Sequence, residues 1–212
     1  MTRGIAKPEG YYYTRLFTDA VLAVEAASEL SGAPRVAVSG VSQGGGLALA
    51  TAALVPQAVA ICHADVPFLC DIQRGITLAP EAPYNEIPEF LAHNVDLIPA
   101  ALDTLRYVDC ALLARRITAR CLLSVGLMDT ICPPSTVFAA YNEIAAGGMA
   151  TIHLGRLLGP VGFARTVAVK RLHPQYAKDP EFVSMFLDEA RLAAPSRSLA
   201  WARVLATDWM AP

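Results

Sequence analysis

Gly40-Val41-Ser42-Gln43-Gly44 constrains this chain more than any other segment, because of what flanks it. Arg35-Val36-Ala37-Val38-Ser39 precedes it, a short β-branched run that predicts a buried strand. Gly45-Gly46-Leu47-Ala48-Leu49-Ala50-Thr51-Ala52-Ala53-Leu54 follows, an Ala/Leu-rich run that predicts a helix. The chain must pass from strand to helix across a turn with glycines close to a serine on either side. Such a turn is too sharp for β-carbons beside the serine, and its backbone is strained. It raises the Ser42 hydroxyl above a sheet edge and aims the Gln43 N–H at a developing oxyanion. A phosphate-binding turn is the competing use of a glycine-rich junction. Neither G-x-x-x-x-G-K-[ST] nor G-x-G-x-x-G accompanies it.

The rest of the chain repeats the alternation of strand and helix. Tyr11 to Leu30 has helical periodicity, with Leu16, Val21, Leu22 and Val24 on the inner side and Gly32 placed for the C-cap. Pro56 ends the helix after the turn, and Ala58 to Ala64 reads as a second buried strand. Residues 65–120, punctuated by five prolines, read as irregular and then helical, a stretch suited to roofing a site. Cys121 to Gly126 predicts a third strand, Val137 to Ile144 a helix capped by Ser135 or Thr136, and Ala150 to Leu154 a fourth short strand. Strands separated by helices imply an α/β fold with a parallel sheet covered by flanking helices.

Composition narrows the function classes. A chain of 212 residues, 54% hydrophobic, can bury one full core. Its net charge of −2 argues against nucleic acid or an anionic membrane as partner. No run of 18 apolar residues occurs, and Met1 to Pro8 is no signal peptide, so a cytoplasmic location is expected. Cys62, Cys70, Cys110, Cys121 and Cys132 have no metal-binding spacing and read as buried free thiols. Near residue 147 the charge balance changes: 9 basic and 14 acidic residues up to Met149, then 8 basic and 5 acidic. Asp179-Pro180-Glu181 predicts a helix N-terminus for Phe182 to Leu192, and Ser198 is placed to cap a further predicted helix through Trp209. Residues 1–146 therefore read as the core, and 147–212 as a divergent C-terminal segment of the same domain.

Several segments together resemble the acetyl xylan esterase / cephalosporin C deacetylase family of carbohydrate esterases. They are Met1-Thr-Arg-Gly-Ile, Tyr11-Tyr-Tyr, Gly40-Val-Ser-Gln-Gly-Gly, Asp65-Val-Pro-Phe-Leu-Cys, Tyr84-Asn-Glu-Ile, Thr104-Leu-Arg-Tyr-Val-Asp and Gly126 through Asn142. The resemblance spans about residues 1–144 and implies a partial α/β-hydrolase fold, since Met1 matches a point inside the family's domain. It implies Ser42 as nucleophile and Asp129 as the acid that orients a histidine. It also implies hydrolysis of small acetylated substrates, homo-oligomers, and no metal or organic cofactor. Where the family carries its catalytic histidine, this chain reads Leu157-Leu158-Gly159-Pro160.

A serine hydroxyl needs a base to become nucleophilic, and the usual chain order on this fold is Ser, Asp, His. Asp129 follows the third strand directly, at the edge where such chemistry sits. His63 precedes the acid and reads as a strand histidine; His93 lies in the roofing stretch. His153 follows Asp129 by 24 residues and His173 by 44. Order favours these two and spacing favours His153; a chain with no working base is the other reading. The functional alternatives are therefore an acetyl-ester hydrolase, an α/β hydrolase of other ester specificity, and a catalytically inactive truncated hydrolase.

Overall fold

β-Branched and small apolar residues build three parallel strands, β1 (Val36–Val41), β2 (Val59–Asp65) and β3 (Arg120–Ser124), in the order β1-β2-β3. The computed structural model describes residues 1–145, 150–158 and 164–172, with 180 and 184 singly. All three strands lie where the apolar runs predict them, but β1, expected to be buried, alternates half-buried and exposed residues. In register, Val38 faces Cys62 and Cys62 faces Cys121, while Ser39 faces His63 and His63 faces Leu122. The sheet therefore has one face bearing Cys62 and Ala64, both fully buried, and one bearing Val41, Ile61 and Leu122, all largely exposed.

Helices follow each strand. α1 (Tyr12–Ser31) ends on Gly32, as predicted, and buries Tyr13, Phe17 and Val24; Leu22, expected inside, is exposed. α2 (Gln43–Leu54) is buried along most of its length and packs on β1, β2 and α1. Its alanines let the helix lie close to the strands. Between β2 and β3 the chain forms α3 (Ile72–Leu78), α4 (Glu86–His93), α5 (Ile98–Arg106) and α6 (Cys110–Leu113). α7 (Pro134–Ala145) begins earlier than predicted. Ser135 and Thr136 therefore lie in its first turn and do not cap it, and the Thr136 hydroxyl donates back to the Pro133 carbonyl at 2.8 Å.

Two compact units divide the chain, Met1–Ile144 and Ala145–Pro212. The second contains β4 (Ala150–Leu158) and β5 (Ala164–Leu172), which pair antiparallel as a separate two-stranded sheet. The fourth strand expected in the parallel sheet is thus half of a hairpin. Two apolar runs separated by a short Gly-Pro-Val-Gly connection pair most simply with each other. The helices predicted over 182–192 and 198–209 fall outside the described residues, apart from Ser184, which is helical. No helix among the described residues is long and apolar enough to cross a membrane.

Candidate active site

The turn between β1 and α2 is as strained as its sequence requires. Ser42 sits at φ 54° and ψ −114°, a conformation that L-residues adopt only under constraint. Three backbone bonds supply the constraint. The Ser42 N–H donates to the Asp65 carbonyl at 2.9 Å, and the Ser42 carbonyl accepts from Gly46 at 3.0 Å and Phe68 at 2.9 Å. At Gly40 a β-carbon would meet the Gly44 carbonyl at 2.2 Å, and at Gly46 it would meet the Phe68 carbonyl oxygen at 2.3 Å. Gly44 itself has open space beside it, so the crossing backbone, and not its missing side chain, fills the turn.

The loop after β2 is the buttress for this elbow. Val66, Leu69 and Asp71 all have positive φ, which lets residues 66–71 fold tightly against the start of α2. Cys110 N–H donates to the Leu69 carbonyl at 2.8 Å, and the buried Tyr84 hydroxyl donates to the Cys70 carbonyl at 3.2 Å. Asp109 closes the structure from below. One oxygen accepts the N–H groups of Asp71 and Ala111 at 2.9 Å, and the other accepts Ile72 at 2.8 Å. In the sequence Asp109 stands out only as the end of a family-like segment; an aspartate ahead of the short apolar run Cys110-Ala-Leu-Leu is also an N-cap signal.

Gln43 is the first residue of α2, so its N–H has no partner within the helix. Its side-chain amide donates to the Tyr13 hydroxyl at 3.2 Å. Burial pushes the Tyr13 phenol above its ordinary range, which keeps that hydroxyl protonated.

Asp129 lies in the loop from β3 to α7, half-buried. Its N–H closes a turn onto Gly126, and its Oδ1 accepts the N–H groups of Ile131 and Cys132, both at 2.8 Å. Because the strands are parallel, the elbow and this loop leave the sheet at one carboxy edge. Cys132, whose N–H this carboxylate accepts, is buried and under the field of Asp129. Burial and that carboxylate push its thiol up to about 11.

The two histidines of the first unit lie on different elements. His63 lies on the open face of the sheet with Nδ1 3.1 Å from Ser39 Oγ, and His93 ends α4 with Nδ1 3.0 Å from the Glu89 carbonyl. His153 is on β4 in the second unit, facing Val169 in register, and His173 lies outside the described residues. Among the described residues no cluster of His, Cys, Asp or Glu could hold a metal ion. All five cysteines are free thiols, four buried and Cys121 half-buried.

Comparisons with known proteins agree with this fold. Residues 1–154 match the family described as acetyl xylan esterase (AXE1). The chain is 31% identical over 148 residues to the acetyl esterase Axe7A of Xylanibacter ruminicola, covering 69% of this chain and 33% of that protein. It superimposes on the solved acetyl xylan esterase from Paenibacillus sp. R4 with a TM-score of 0.64 and 38% identity, over 68% of this chain and 46% of that one. A shorter stretch of 69 residues is 49% identical to the tyrosine-protein kinase MasK of Myxococcus xanthus, 32% of this chain and 10% of that protein. The chain thus spans less than half the length of each of these relatives.

Proposed function

The chain belongs to the acetyl xylan esterase family, and from that premise we propose that it is a serine hydrolase removing acetyl groups from acetylated sugars or related small esters. The observation that carries the reading is the strained Ser42 backbone between a parallel strand and a buried helix. In this mechanism Ser42 Oγ attacks the acetyl carbonyl carbon as a base takes its proton. The oxygen that becomes negative is met by the N–H of Gln43. The alcohol departs with the proton, and water then hydrolyses the acetyl-serine by the same route. Asp129 holds the base in the correct tautomer, and by chain order alone the candidates for that base are His153 and His173. This chemistry calls for neither metal nor organic cofactor. Free thiols throughout suit a reducing cytoplasm, and the exposed sheet face suits a homo-oligomer.

A second reading has its own support. Both histidines of the first unit are hydrogen-bonded to groups other than Asp129. In that reading the chain keeps the family's scaffold without turnover. Hydrolysis of p-nitrophenyl acetate, with peptide-level detection of fluorophosphonate on Ser42, decides between them. Activity and labelling that vanish in Ser42→Ala support the hydrolase. Folded protein with neither supports the scaffold.

A further inference from the structure

We propose that Tyr13 is a positioning residue for the oxyanion-binding N–H of Gln43: its hydroxyl anchors the Gln43 side chain, and its ring braces the loop that holds the Ser42 carbonyl. The inference rests on the reading of Ser42 as nucleophile. The Ser42–Gln43 peptide is planar, with a carbonyl at one end and the oxyanion-facing N–H at the other. Whatever fixes that plane fixes the direction of the N–H. Its carbonyl end is held by two donors, the Gly46 N–H at 3.0 Å and the Phe68 N–H at 2.9 Å. At its amide end, Gln43 Nε2 donates to Tyr13 Oη at 3.2 Å, between residues 30 apart in the chain.

Tyr13 reaches both ends of this plane. Its ring meets Phe68 edge-on with centroids 6.4 Å apart, and Phe68 supplies one of the carbonyl donors. Tyr13 is 5% exposed, and Tyr11 and Tyr12 lie against its ring with centroids at 5.7 and 5.3 Å. A ring packed in this way cannot swing, so its hydroxyl is a fixed acceptor. Gln43 is itself an exposed residue, and without that acceptor its side chain rotates in solvent. The N–H is then loosened but not removed. Removing an oxyanion donor costs about 10²–10³ in kcat, whereas loosening it by one neutral hydrogen bond costs about three- to tenfold. Burial keeps the Tyr13 phenol protonated at neutral pH, so the contact does not titrate there.

Two substitutions test the anchor from its two sides. Tyr13→Phe keeps the ring and removes the hydroxyl, whereas Gln43→Met keeps the side-chain length and the backbone N–H and removes the amide. On p-nitrophenyl acetate, with kcat taken per labelled serine, each should lower kcat about three- to tenfold and leave KM within about twofold. The double variant should fall no more than about twofold below the slower single one, because both remove the same contact. Fluorophosphonate labelling of Ser42 should slow in the same order, since the phosphonyl oxygen takes the oxyanion position. The phosphorus resonance of that adduct should move between the parent and Tyr13→Phe, which a loss of packing alone does not produce. A Tyr13→Phe kcat within about twofold of the parent, a double variant that multiplies the single losses, or an unmoved phosphorus resonance overturns the proposal and leaves the nucleophile reading standing. A folded parent with neither turnover nor labelling overturns the nucleophile reading and this proposal with it.

Discussion

At the scale of single residues, the glycines around Ser42 are not equivalent, although the pentapeptide treats them alike. Gly40 has the Gly44 backbone where a β-carbon would go, and Gly46 has the Phe68 carbonyl there. Neither obstacle is a flexible side chain, so neither can move aside without disturbing the strained serine. Gly40→Ala and Gly46→Ala should each lose about 2–4 kcal/mol of stability in chemical denaturation, while Gly44→Ala should stay within about 1 kcal/mol. Equal losses at all three would mean that the crossing backbone is not the constraint. The serine and Gly40 were legible in the sequence because their neighbours form strand and helix runs. Gly46 was not, since its obstacle comes from the loop after β2.

At the scale of elements, one carboxylate joins two of the short helices between β2 and β3. Asp109 caps α6 and also takes two N–H groups at the start of α3, joining elements 37 and 38 residues apart. An amide in its place has a single acceptor oxygen and turns donors toward donors. Asp109→Asn should therefore cost about 1–3 kcal/mol. The pH dependence has a definite sign. Burial raises the folded carboxyl above its ordinary 3.8, outweighing the N–H groups of Ile72, Ala111 and Asp71, which pull it down. The folded chain thus holds this proton more tightly than the unfolded one, and the resulting stabilisation is present in acid and lost as pH rises through the folded value. The stability gap between the parent and Asp109→Asn should shrink from below pH 3.8 toward neutrality. Urea titrations at several pH values measure that gap; a gap that widens with pH would show that the hydrogen bonds dominate. Sequence reading saw this region as proline-punctuated and helical, and its four short helices agree. Their joints depend on contacts that periodicity does not reveal.

At the scale of the molecule, the parallel sheet was legible because its strands are continuous apolar runs, and that same feature sets its behaviour in solution. β1 pairs only with β2 among the described residues, leaving its other edge unpaired. On the face away from Cys62 and Ala64, Val41 is 62%, Ile61 49% and Leu122 64% exposed. Strands apolar on both sides belong inside a sheet covered on both faces, and an open edge beside an apolar face is a template for association. Ser39, His63, Asp65, Arg120 and Ser124 share this face, yet Val41, Ile61 and Leu122 stay exposed between them. The chain should self-associate at micromolar concentration, and sedimentation velocity should show species larger than a monomer. Ile61→Lys with Leu122→Lys places two charges on the exposed face without touching the buried one. That variant should shift the distribution toward monomer with the fold retained by circular dichroism. A parent that sediments as a stable monomer, or an assembly indifferent to both lysines, would place association on some other surface.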